Sequence, residues 1–106
     1  KFSRAMRDIG LWDQMTILTY SEFGRTAREN ASAGTDHGTA APVFAIGGNV
    51  AGGFSGERPS LDKLVDGDLA YTTDYRTLYH ATLRDLWAID APEFAVKGAK
   101  PLSILG

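Results

Sequence analysis

Carboxylate, imidazole and guanidinium groups cluster between residues 22 and 37 of this 106-residue chain, where they could bind a metal ion and an anion. Asp36 and His37 are adjacent in Thr35-Asp36-His37-Gly38, and carboxylate and neutral imidazole are both good ligands for zinc-like divalent ions. The glycine that follows lets the backbone approach a ligand closely. The pair predicts a metal site, and the competing interpretation is a histidine held in its loop by hydrogen bonds.

Glu22 and Arg25 form a second candidate group directly after an apolar run. In open α/β sheets, ligands bind just beyond the carboxyl ends of the strands, which is where these two side chains are expected. A glutamate supplies a further oxygen donor, and an arginine can grip a phosphate or sulfate group with two parallel hydrogen bonds. The alternative is a solvated ion pair at the end of a strand.

The apolar pattern predicts the elements that would position these residues. Helical spacing of the apolar residues in 2–9 predicts the end of an amphipathic helix that stops at Gly10. The short apolar runs Met15–Tyr20 and Pro42–Ile46 predict two strands covered on both faces. Residues 21–41 have no period and therefore form a loop between the strands, which is where functional residues concentrate.

A second helix is predicted in the second half of the chain. Thr73 or Asp74 can cap a helix from about Tyr75 to Trp87, which has one apolar and one polar face. The glycine-rich stretch 47–56 matches no phosphate-binding pattern and predicts turns and close backbone passage. The tail from Ile89 has no clear period, so we expect irregular chain there.

Composition limits the class of protein. Hydrophobic residues make up 43% of the chain and charged residues 23%, with a net charge of −2, which is typical of a globular domain. This balance excludes a strongly basic nucleic-acid-binding protein, and the lack of cysteine excludes thiolate metal sites. No apolar run approaches the roughly 20 residues that a membrane span needs. We expect residues 1–106 to form a single incomplete domain.

Four segments, taken in order, resemble a bacterial family, the domain of unknown function 1501, within the alkaline phosphatase and sulfatase superfamily. They are Thr19–Arg25, Gly34–Gly38, Gly47–Gly48 and Thr72–Arg76. Proteins of that family are several times longer and are often exported with a twin-arginine signal. The resemblance implies that the chain is the C-terminal portion of an alkaline phosphatase-like α/β sandwich, a mostly parallel sheet flanked by helices. It also implies a periplasmic or extracellular protein.

The same resemblance implies a metal site. In the superfamily, one late strand ends in an Asp-His pair, and a further His precedes another strand. Either Glu22-Phe23 stands at that pair and His37 is the later ligand, or Asp36-His37 is the pair itself. We favour the first register, because Glu22 follows an apolar run and His37 precedes one. Glu22, Asp36 and His37 would then bind zinc, manganese or calcium, although Phe23 has no lone pair to offer.

The predicted function is a metal-dependent hydrolase of phosphate or sulfate esters. Arg25 and Arg76 would hold the small anionic substrate, and the nucleophile would lie outside this chain. We therefore expect these residues alone to be inactive and to pair with the missing N-terminal part of the same domain. The alternative is a non-catalytic exported binding or surface protein, in which Asp36 and His37 only fasten the loop through hydrogen bonds.

Overall fold

The computed structural model describes residues 1–106 as two helices and three small antiparallel sheets. Helix α1 spans Phe2–Asp8 and helix α2 spans Tyr75–Trp87, and single turns of 3-10 helix lie at Trp12–Gln14 and Pro92–Phe94. The strands are β1 (Thr16–Leu18), β2 (Gly24–Arg25), β3 (His37–Gly38), β4 (Ala45–Gly47), β5 (Leu64–Val65) and β6 (Asp68–Leu69). Neither helix is long and apolar enough to cross a membrane.

The strand pairing shows that the predicted fold class is wrong. The chain is not a mostly parallel sheet flanked by helices and does not form the expected alkaline phosphatase-like sandwich, because every strand pair is antiparallel. Strand β1 pairs directly with β4, with Ile17 opposite Ile46. A parallel pair needs a crossover, usually a helix, whereas the chain between β1 and β4 forms only the β2–β3 hairpin.

Little of the molecule is buried. Seven of the 106 residues are buried, and the largest of them is Trp12, which is 6% exposed. The guanidinium carbon of Arg7 lies 4.7 Å from the centre of the Trp12 ring, so helix α1 covers this ring with a cation. The two apolar runs predicted strands covered on both faces, but Phe44 and Ile46 are exposed.

The start of the glycine-rich stretch packs against the turn that carries Trp12. A Cβ atom on Gly47 would lie 2.2 Å from the carbonyl oxygen of Met15, and one on Gly48 would lie 2.1 Å from the Asp13 carboxylate. The side-chain amide of Asn49 donates to the Asp13 carbonyl at 2.7 Å. Close backbone passage at these two glycines confirms the structural role that the sequence predicts.

Helix α2 has the predicted bounds and the predicted cap. The Asp74 carboxylate accepts a hydrogen bond from the backbone N–H of Arg76 at 2.9 Å, which satisfies one of the free donors at the helix start. The last helical residue is Trp87, and the C-cap Ala88 that follows is left-handed with a φ of 53°.

The C-terminal tail is fastened to helix α2 by Asp85. Its carboxylate accepts from the backbone N–H of Ile104 at 3.0 Å and from the Nε of Arg84 at 2.8 Å. These bonds, that of Arg84 foremost, hold the pKa of Asp85 below its usual value. The tail therefore packs on the helix even though its sequence has no period.

Candidate functional site

Strands β2 and β3 place two of the predicted site residues opposite one another. We call residues 21–40 the site hairpin. Arg25 pairs with His37, and Gly24 pairs with Gly38. A Cβ atom on Gly24 would lie 1.8 Å from the carbonyl oxygen of Ala40, so only glycine allows this approach. The hairpin thus brings a guanidinium and an imidazole together from positions twelve residues apart in the sequence.

Phe23 contacts both of these groups. Its ring is stacked on the His37 imidazole, with 3.6 Å between ring centres and 15° between the planes. The guanidinium carbon of Arg25 lies 5.3 Å from the Phe23 ring centre, within the range of a cation–π contact. The phenyl ring therefore fixes the plane of the imidazole and lies beside the arginine.

Asp36 fastens the loop between β2 and β3. Its carboxylate accepts from the side-chain amide of Asn30 at 2.9 Å, and its backbone N–H donates to the Thr26 hydroxyl at 3.1 Å. The amide oxygen of Asn30 accepts in turn from the backbone N–H groups of Ser32 and Gly34, at 2.9 and 3.0 Å. Asp36 is thus part of a side-chain network that shapes the loop.

The three predicted metal ligands do not form one ligand set within this chain. No group of three or more His, Asp or Glu side chains lies close enough to hold a metal ion. Asp36 is bound to Asn30, His37 is stacked on Phe23, and Glu22 is exposed at the start of the hairpin. The donors present here therefore do not fit a divalent ion by themselves.

The two predicted anion-binding arginines differ in how they are engaged. Arg25 is exposed and donates through one amino group to the Thr35 carbonyl at 3.0 Å, which leaves other N–H groups for an anion. Arg76 lies on helix α2 and binds both oxygens of Asp74, at 2.9 and 2.7 Å. That hydrogen bonding is the main reason why the pKa of Asp74 falls to about 2. Arg25 is therefore the better placed of the two, and substrate binding by Arg76 stays a prediction.

A family model supplies the decisive comparison. The model described as "Protein of unknown function (DUF1501)" matches residues 1–98. The chain belongs to the DUF1501 family. Its match contains every residue of the site hairpin and the whole of helix α2. No curated protein and no solved structure matches this DUF1501 chain significantly.

Sequence reasoning missed one residue that positions the DUF1501 hairpin. The Asp68 carboxylate accepts from the backbone N–H of Thr39 at 2.6 Å, so it joins β6 to the end of β3. Asp68 follows a tight turn in which Asp66 and Gly67 have φ angles of 52° and 82°. The Asp66-Gly67 pair, which lies between Val65 and Asp68, is a strong signal for such a hairpin and could have revealed it.

Proposed function

We propose that the protein is a hydrolase of phosphate or sulfate esters and that its site hairpin binds the anionic group of the substrate. The observation that supports this most is the pairing of Arg25 with His37 beside the Phe23 ring. A guanidinium forms strong, geometrically matched hydrogen bonds to phosphate and sulfate oxygens. The neighbouring imidazole offers a further N–H, and the phenyl ring restricts both groups to one face of the hairpin.

Membership of the alkaline phosphatase and sulfatase superfamily is a finer part of this proposal, as is export through the twin-arginine route to the periplasm or cell exterior. The superfamily membership and the export route are supported by the four sequence segments alone. The antiparallel pairing of the strands does not favour the superfamily. The stack of Phe23 on His37 supports the register in which Glu22-Phe23 replaces an Asp-His pair. In that register, Phe23 and His37 occupy two ligand positions of one site and must therefore lie next to each other.

A divalent cofactor (zinc, manganese or calcium) belongs to the proposal through the resemblance alone. Because the donors of this chain do not fit such an ion by themselves, we derive no step through it. The roles of the chain's own residues are simpler. Arg25 binds the ester anion, Phe23 orients the His37 ring, and Asn30 and Asp36 hold the loop that presents them.

The test is an assay of the natural protein at its full length with an aryl phosphate and an aryl sulfate. Removal of a hydrogen bond to a charged group costs about 1.5–3 kcal/mol, so Arg25→Ala should lower kcat/KM about 10- to 150-fold. Arg58→Ala is the matched control, because Arg58 is also exposed but lies outside the site hairpin. Absence of turnover of both esters, with divalent ions supplied, would contradict the hydrolase.

A non-catalytic exported binding or surface protein is the second candidate, and a specific observation favours it. Asp36 already binds Asn30, and a phenyl ring stands against His37 where a second donor would be needed. This function predicts that phenyl phosphate binds without being cleaved. Calorimetry should then show binding that Arg25→Ala weakens, whereas a divalent ion lost on His37→Ala would favour the hydrolase instead.

A further inference from the structure

A cleft of about 210 Å³ lies between helix α2 and the chain that follows it, on residues distinct from the site hairpin. Half of its ten lining residues are hydrophobic. Three of the others are basic and none is acidic, a composition that favours an anion with an apolar body. The basic residues are His80, Arg84 and Lys100.

The three basic side chains of the cleft differ in how close a carboxylate of the chain lies to each. Arg84 is anchored by Asp85 at 2.8 Å and by the Leu102 carbonyl at 2.6 Å, which fixes its guanidinium at the edge of the cleft. The Nε2 atom of His80 lies 3.7 Å from the exposed carboxylate of Asp90, too far for a hydrogen bond. Lys100 is exposed and has no carboxylate within 4 Å. Lys100 is therefore the one cation of the cleft that no carboxylate of the chain pairs.

Thr77 provides an independent sign of a missing partner. This residue lines the cleft and is 9% exposed, and its buried hydroxyl oxygen has no hydrogen-bond partner. Thr82 of the same helix donates to the Leu78 carbonyl at 2.8 Å, whereas the residue four positions before Thr77 lies outside the helix. Buried polar groups rarely stay unpaired, so this hydroxyl needs a partner that the chain itself does not supply.

We propose that this cleft binds a small organic carboxylate of about the size of benzoate. The carboxylate contacts Lys100, His80 and Arg84, with the Thr77 hydroxyl as a further donor, and the apolar body packs on Ala81. An apolar cavity of about 150 Å³ holds benzene, so a cleft of this volume admits a ring together with its carboxylate. The proposal is independent of the function proposed for the site hairpin.

The first experiment is a titration of the natural protein at its full length with benzoate, followed by amide NMR shifts. We expect saturable shifts confined to helix α2 and residues 95–102, with benzyl alcohol, the neutral analogue, producing none. Inorganic phosphate tests the need for the apolar body and should bind at least fivefold more weakly. Shifts that do not saturate, or equal binding of benzyl alcohol or phosphate, would overturn the proposal.

Two variants locate the contact. Lys100→Ala should weaken benzoate binding at least fivefold, whereas Lys97→Ala, in the same exposed segment but outside the cleft lining, should leave it unchanged. Thr77→Val keeps the shape of the side chain and removes the hydroxyl, so it should also weaken binding in a protein whose amide spectrum stays folded. Equal effects of the two lysine variants would refute the site.

Discussion

Asp36 and His37 are adjacent in the sequence, yet their side chains have different partners. Asp36 binds Asn30 across the loop, and His37, the first residue of β3, stacks on Phe23. Successive side chains of an extended segment point to opposite faces, which works against both donors reaching one ion. Residue type and spacing identified groups capable of chemistry, but the face that each occupies depends on a pairing with β2 that no local pattern encodes.

Gly24→Ala tests how tightly the site hairpin depends on one position. The added methyl group would overlap the Ala40 carbonyl oxygen, so we expect a loss of about 1–3 kcal/mol in the free energy of unfolding. Urea denaturation measures that loss, and the His37 ring resonances should shift as the Phe23 stack is disturbed. Gly52→Ala is the control, because nothing lies within 4 Å of its added Cβ. Equal stability of the two variants would contradict this packing.

The Asp74 carboxylate gives a pH-dependent prediction. Its pKa falls from 3.8 to about 2 in the folded chain, first through the Arg76 side chain and then through the Arg76 backbone N–H. A carboxylate whose pKa is lower in the folded than in the unfolded chain stabilises the fold at pH values above its unfolded pKa. This stabilisation is lost as the pH falls from about 4 to 2. Asp74→Asn keeps a capping acceptor without the charge. The stability difference between wild type and variant should therefore shrink across that window.

Thermal unfolding of both proteins between pH 7 and pH 2 measures this difference, and other carboxylates cancel in the comparison. Asp74→Ala also removes the capping acceptor, so it should lower the free energy of unfolding by about 1 kcal/mol at pH 7. A difference between wild type and Asp74→Asn that stays constant with pH would show that the Arg76 pair does not stabilise the fold.

Helices and strands differed in how far the sequence predicted them. The bounds and cap of α2 follow from local signals, because Asp74 precedes an amphipathic stretch with a 3.6-residue period. Met15–Tyr20 correctly predicted a strand but not its partner, its direction or its length, which is Thr16–Leu18. A short apolar run suits a buried parallel strand and an exposed antiparallel one equally well, so the sheet topology could not be read from it.

The end of helix α2 offers a stabilising substitution. Ala88 adopts a left-handed conformation that costs an L-residue about 1–2 kcal/mol and glycine very little. Ala88→Gly should therefore raise the free energy of unfolding by about 1 kcal/mol, measured by urea denaturation. Ala95→Gly is the matched control, since Ala95 has a φ of −67° and gains nothing from glycine. A destabilised Ala88→Gly variant would contradict the left-handed cap.

The whole molecule exposes more surface than a globular chain of its mass. Its accessible surface is 8291 Å², against roughly 5,800 Å² expected for a folded monomer of this size. The radius of gyration is 16.4 Å, against about 13 Å expected. Large apolar side chains, among them Phe44, Phe54 and Trp87, are exposed. The composition is typical of a globular domain, but composition does not determine whether the chain covers its apolar residues by itself.

The exposed apolar surface predicts how the isolated chain behaves in solution. The 106 residues in isolation should bind the dye ANS and associate as their concentration rises, because open apolar surface marks contact sites. Fluorescence titration and sedimentation velocity measure the two effects. Phe54 is fully exposed, so Phe54→Ser should reduce ANS binding and association without changing the free energy of unfolding. Trp12 is buried, so Trp12→Ala should lower the free energy of unfolding by about 3–5 kcal/mol. Exposed apolar surface drives aggregation at µM to mM concentrations, so roughly 100 µM is a fair test. A chain that is monomeric at that concentration and gives no ANS signal would contradict the prediction. These side chains would then be covered in solution.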